Sequence, residues 1–385
     1  MSSGEPEPSA DDLGALSTAA LIAAAEEHDD DLGVDRWKYV GELQRRGGQE
    51  VFSAADALTR SAAIRERVLG TSILGQIGYA DPASEPNASL RRRAVARLAE
   101  LTRVDAATDV VWSAINGLGH LGDPGALEAV LAHAASPVAE LRQVVASAMP
   151  GATGWDGTLS PLPAELAARV VAALIALCDD EDEEVRDWAL FGLGVQGDLD
   201  TPEIRDVLAR HLDDPADDAR DEALLGLARR RDPRAFPSVL SGLTPETATA
   251  QTVEAAAHLG DERLLPGLLA LGEAWPRDEP PLLAALRTCD PAERARWELY
   301  GAALSAELEG RLRERLGERP FGVQVAPVPL EYAPQLTAEW TAPAGGPATL
   351  SYDLAALVET RLGGQLASAG DVFARDIAEA DRAVG

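Results

Sequence analysis

The sequence predicts a mainly α protein, a right-handed α-solenoid of stacked helical hairpins followed by a small α/β domain. Three observations predict it. The block "EEVRDWALFGLGVQGDLDTP" at 183–202 returns in outline as "DDARDEALLGLARRRDPRAF" at 217–236. Apolar residues across the middle of the chain recur at helical spacing, and beyond residue 290 the apolar period changes from 3.6 to 2. A helical hairpin of this size cannot bury its own apolar face, so tandem copies must shelter one another.

Aligning the chain with itself on "ALFGLG" places Leu74, Leu118, Met149, Leu193, Leu227 and Leu259 in one column, with spacings of 44, 31, 44, 34 and 32. Four residues earlier stand Gly70, Ala114, Val145, Ala189, Ala223 and Ala255, nearly all small, which lets a neighbouring helix approach closely. One residue later come Gly75, Gly119, Pro150, Gly194, Ala228 and Gly260, read as helix C-caps or breakers. Seven residues before the column, Arg67, Arg142, Arg186 and Arg220 recur, and their regular spacing is what an inter-repeat contact requires. The expected partner is the turn aspartate of a neighbouring copy. Those aspartates, Asp123, Asp198 and Asp232, lie five residues past their column positions and are read as N-caps of each second helix.

The wide spacings hold inserted loops at 79–89 and 151–163, rich in Pro, Gly and Ser. Upstream, "DRWKYVGELQRRGGQEVFSAADALTRS" reads as a looser capping hairpin, preceded by a helix in "LSTAALIAAAEEH". Residues 1–12 read as a disordered acidic tail, 13–290 as the repeat stack and 291–385 as the α/β domain. In that last segment a long amphipathic helix, "PAERARWELYGAALSAELEGRLRERLG", precedes strands in "GVQVAPV", "LTAEWTA" and "ATLSYDL", with "PAGGP" as a turn and a closing helix pair.

Composition narrows the function. The chain has 64 acidic against 34 basic residues, a formal charge of -30, which opposes counterion-release binding to nucleic acid. A single lysine, Lys38, leaves little for Schiff-base chemistry, and two cysteines, Cys178 and Cys289, make neither a disulfide framework nor a CxxC motif. A reducing cytoplasm is the expected compartment. The longest apolar run, "VVAALIALC", is about half of what a bilayer span needs, so no membrane association is expected.

Two stretches match a dinucleotide fingerprint letter by letter, "GLGHLG" at 117–122 and "GLGVQG" at 192–197, but each follows a helix where the fingerprint needs a strand. Repeat packing accounts for both. The histidines are scattered, no G-x-S-x-G elbow occurs, and neither cysteine has a neighbouring His. No catalytic residue, metal site or cofactor is assigned.

Interaction surfaces are the better candidates. Asp179, Asp180, Glu181, Asp182, Glu183 and Glu184 form one acidic run, and Asp213, Asp214, Asp217 and Asp218 form another 34 residues on. Stacking would set the two runs side by side, an anionic strip able to steer a basic protein surface. Trp155, in an inserted loop, is a candidate interface anchor, whereas Trp112 and Trp188 read as core residues of first helices.

The unit with "VR" early in its first helix, "A..GLG" late in it and "DP" at the turn resembles a HEAT repeat of the short bacterial kind, also seen in phycobilisome-lyase-like proteins. The resemblance covers roughly 34–290 and implies the solenoid fold. It leaves two expectations. The first is a non-catalytic scaffold or adaptor that binds a protein partner, basic in character, through an extended concave or acidic edge surface. The alternative is a lyase or isomerase of the phycobilin-lyase type, or an activity in the C-terminal domain near Arg294, Arg296, Glu298 and Tyr300. Fold alone does not choose between them, and the oligomeric state stays open.

Overall fold

The computed structural model describes residues 10–28, 34–153, 162–276, 279–326 and 334–383. They form two compact units, Met1–Ala223 and Leu224–Gly385. The division falls inside a helix of the repeat stack, well before the boundary expected at 290/291.

The first unit starts with α1 (Ala10–Ala15) and α2 (Thr18–Glu27), so helix already covers the end of the segment read as a tail. Ser17 caps α2 by accepting the Ala20 N–H at 3.2 Å. The hairpins follow: α3 (Val34–Arg46) with α4 (Gly48–Leu58), α5 (Ile64–Gly75) with α6 (Asn87–Val104), and α7 (Thr108–Leu121) with α8 (Leu127–Leu131). Next come α9 (Ala139–Thr153) with α10 (Ala164–Cys178), α11 (Glu183–Phe191) with α12 (Pro202–Arg210), and α13 (Asp217–Arg229), in which the unit ends. First helices α3, α5, α7, α9 and α11 pack in succession, and among the second helices α4 packs on α6, α6 on α8 and α10 on α12. Leu74, Leu118, Met149 and Leu193 are all buried, as a shared seam requires.

The small residues act by close approach. A Cβ on Gly75 would lie 2.7 Å from the Gly117 Cα, one on Gly119 2.9 Å from the Ala148 Cα, and one on Gly192 2.9 Å from the Pro150 Cγ. The C-cap reading therefore holds for one column glycine only. Gly260 caps its helix in the left-handed region at φ 59°, whereas Gly119 is helical and the cap of α7 is Gly122 at φ 64°. Pro150 does not break α9, and Gly194 sits in a π-helical turn over Gly192–Gln196.

The turn aspartates also divide. Asp123 and Asp232 cap short 3-10 turns by accepting the Gly125 and Arg234 N–H groups, at 2.8 and 3.0 Å. Asp198 does not cap. Three extra residues, Leu199, Asp200 and Thr201, precede the proline there, and Thr201 takes the N-cap of α12 instead.

The second unit continues with α14 (Phe236–Gly242), α15 (Ala250–Leu259), α16 (Leu265–Ala274), α17 (Pro280–Cys289) and α18 (Pro291–Leu316). Strands β1 (Phe321–Ala326), β2 (Gln335–Thr341) and β3 (Pro347–Asp353) form an antiparallel sheet in order β1-β2-β3, with Trp340 opposite Phe321 on one side and Ala348 on the other. Of the expected closing helix pair, the first is a π-helical turn over Ala356–Arg361 and the second is α19 (Ala369–Ala383).

One face of the sheet is covered by α18 and α19, because Leu304, Leu308, Leu312 and Leu316 recur at helical spacing against Leu336, Trp340, Tyr352 and Phe373. Two buried carboxylates of α19 tie the layers together. Asp376 accepts from the Tyr352 hydroxyl at 2.9 Å and from Arg361 at 2.8 Å, and Asp381 accepts from the Trp340 indole at 3.0 Å and from Arg315 at 2.9 Å. Helices α15 and α17 belong to this unit because α17 packs on both α15 and α18.

Candidate functional site

The recurring arginines build an inter-repeat clamp, and two of its three aspartate partners, Asp180 and Asp214, are residues the sequence reading assigned to a binding strip. Arg67 grips Asp105 at 2.8 and 3.1 Å, Arg142 grips Asp180 at 2.7 Å through both nitrogens, and Arg186 grips Asp214 at 2.9 Å through both. Each arginine also donates Nη1 to the carbonyl six residues before it: Ser61, Ser136, Asp180 and, for Arg220, Asp214. Each aspartate stands three residues ahead of the next first helix and accepts the N–H two residues on, from Ala107, Asp182 and Ala216. The guanidinium fork thus fastens one repeat to the loop that launches the next.

Where the acceptor is missing, the clamp lapses. The equivalent loop residue ahead of α9 is Ser136, and α7 carries Val111 in place of the arginine. Ahead of α15 it is Thr247, and Arg220 turns to Asp217 of its own helix. Arg67, Arg142 and Arg186 are thus bonded to the loop aspartates Asp105, Asp180 and Asp214, whereas the expected partners were the turn aspartates Asp123, Asp198 and Asp232.

This splits the acidic runs. Asp180 and Asp214 face inward; burial alone would raise the Asp214 carboxyl, but hydrogen bonds from Arg186, the Ala216 N–H and His211 hold it well below the usual carboxylate range. Asp182 caps α11, Asp179 pairs with Arg210 at 2.8 Å, and Asp217 with Arg220. Glu181, Glu183, Glu184, Asp213 and Asp218 remain on the surface. Half-buried Asp187 is pushed up to about 6 by burial and by the carboxylates of Asp218 and Glu184. Trp155 lies outside the described residues.

A groove of about 630 Å³ opens on the first-helix layer of the first unit. Trp37 of α3 is 55% exposed and Trp112 of α7 is 36% exposed, and both line it. Trp112 is therefore not core, and Trp188 is only half-buried, edge-on to Phe191 at 5.9 Å. Asp109 and Glu140, both exposed, border the groove with Asn116, Gln76 and Ser72. The signal for Trp112 was present in the sequence: it shares a polar helix stripe with Asp109, Asn116 and His120, opposite Val110, Ala114, Ile115 and Leu118.

Other chemistry is sparse. Among the described residues no group of three or more His, Cys, Asp or Glu side chains is placed to hold a metal ion. Both cysteines are buried; burial drives the Cys178 thiol far above its usual value and the Cys289 thiol up to about 12. The literal dinucleotide fingerprints are spent on helix packing, with Gly117 against Gly75, Gly119 against Ala148 and Gly122 as a cap. No described helix is long and apolar enough to cross a membrane.

The profile of HEAT repeats matches residues 171–260. Over 98 residues the chain is 36% identical to protein YibA of Escherichia coli K12, and equally to that of Escherichia coli O157:H7. Residues 171–260 of the chain are thus similar to HEAT repeats. The YibA match takes in 26% of this chain and 35% of YibA, so the chain spans about a third of the length of the curated relatives it matches. The X-ray structure of YibA superposes with a TM-score of 0.55 at 23% identity, covering 74% of this chain and 98% of YibA, which shows a shared fold. A designed armadillo repeat protein in complex with the peptide (KR)4 gives a TM-score of 0.35 at 14% identity, over 54% of this chain and 98% of that one. Stacked HEAT repeats present the extended surfaces that protein-binding scaffolds use.

Proposed function

We propose that this protein is a non-catalytic scaffold or adaptor that docks an extended, basic segment of a partner protein in the groove of its first unit. The observation that carries the reading is the pair of solvent-facing tryptophans, Trp37 and Trp112, set beside the carboxylates of Asp109 and Glu140 in one groove. An indole face attracts a guanidinium or ammonium, a carboxylate pairs with it, and aromatic anchors carry most of the energy at interfaces. The surface acids Glu181, Glu183, Glu184, Asp213 and Asp218 add a long-range field that draws a cationic partner in.

The test is fluorescence anisotropy of a labelled arginine- and lysine-rich peptide with the full chain. Replacing both tryptophans by alanine should weaken binding by roughly 30-fold, the loss that goes with removing a hot spot of about 2 kcal/mol. Raising the salt should slow association steeply, since surface charges beyond about 8 Å are screened at 0.15 M. Binding that ignores both the tryptophans and the salt would refute the proposal.

A further inference from the structure

The second unit holds a cavity of about 1070 Å³ whose lining runs against the character of the chain. In a protein of charge -30, four arginines line it, Arg229, Arg231, Arg287 and Arg294, against two carboxylates, Glu298 and Glu309. The rest of the wall is largely apolar, with Ala257, Leu259, Ala302 and Val325 among its residues. Positive charge on an apolar, concave wall is the complement of an anion with an apolar body.

Three local features point the same way. Trp297 lines the cavity, is 5% exposed, and its indole Nε1 has no hydrogen-bond partner among the described residues. Neither has Nε2 of His258, another lining residue, whose nearest carboxylate oxygen, on Glu254, is 3.6 Å away. Buried polar nitrogens are seldom left unpaired, and two at one cavity mark a place built for an acceptor. Arg287 lies over the Trp297 ring at 4.9 Å, and Arg294 is held by its Nη1 bond to the Gly260 carbonyl at 2.8 Å, so two of the cations are positioned in advance. Arg231, exposed at the rim, is among the described residues the one non-glycine with positive φ, 50°, a backbone conformation retained at some cost.

We propose that this cavity binds a small organic anion, a carboxylate or phosphate carried on an apolar or aromatic body, with the arginines taking the charge and Trp297 flanking the body. Calorimetric titration of the full chain with phenyl phosphate, benzoate and neutral benzamide tests it. One or both anions should bind at least tenfold more tightly than benzamide, and the tighter of the two names the head group. Arg294→Gln and, separately, Arg231→Gly should each weaken the anions at least fivefold while leaving benzamide unchanged; glycine suits the positive φ at 231, so that variant keeps the fold. Circular dichroism matching the parent confirms folding. Absence of anion binding, benzamide binding as tight as benzoate, or undiminished anion affinity in a folded Arg231→Gly protein would overturn the assignment.

Discussion

The strongest consequence of the clamp concerns Arg186→Met. Arg186 and Asp214 are 9% and 6% exposed, joined by two 2.9 Å bonds, and Arg186 also donates to the Asp180 and Glu181 carbonyls at 3.0 and 3.3 Å. Methionine keeps the packing of the stem but leaves a carboxylate buried with only His211 and the Ala216 N–H to support it. Removing one partner of a buried pair costs about 3–5 kcal/mol. At about 2–4 °C per kcal/mol for a unit of this size, the first unit should melt roughly 6–20 °C lower. Arg220 occupies the same column, but its partner Asp217 is 87% exposed on the side chain, so Arg220→Met should cost less than about 1 kcal/mol. The assay is urea unfolding followed by circular dichroism, with a double-mutant cycle. Arg186→Met combined with Asp214→Asn should recover part of the loss, because the stranded charge is gone. Equal costs at 186 and 220, or strict additivity in the cycle, would refute the argument.

Four further outcomes follow from the structure. Asp187 has its folded value raised from 3.8 to about 6, so its ionisation opposes folding as pH climbs through that window; Asp187→Asn should raise stability above pH 6 and leave it unchanged below about 4, read by urea midpoints across pH. Asp214 has the opposite sign: its depressed value means stability present above the ordinary carboxylate range and lost on acidification, a loss that Arg186→Met should reduce. Gly117→Ala forces a Cβ to 2.9 Å from the Gly75 Cα and should cost about 1–3 kcal/mol, whereas Gly310→Ala, with open space around it in α18, should stabilise by about 0.5–1 kcal/mol; thermal melts separate the two. Both cysteine thiols should resist a disulfide reagent until the chain is unfolded, since each is buried with its thiolate disfavoured.

The hairpins, their small-residue approach points and the three strands were legible because each is a matter of local periodicity and turn chemistry, which the amino-acid order carries directly. The arginine column was legible as a contact, but its partner was not. Side-chain reach depends on which loop the stack brings beneath each guanidinium, and the aspartate it finds lies 38, 38 and 28 residues on, at no constant offset. For the same reason an acidic run looked uniform in the sequence, while folding turned Asp180 and Asp214 inward and left Glu183 and Glu184 outside.

By itself, then, the sequence determined a stack of two-helix repeats with an appended sheet, since burial of leucines that no single hairpin can shelter admits few other solutions. Only the tertiary structure decided which charges are clamped and which are free, that Trp37 and Trp112 face one groove, and that four arginines from separate stretches of the second unit line one cavity. Those groupings join residues far apart in the chain, and distance through space is a property of the packed fold rather than of residue order.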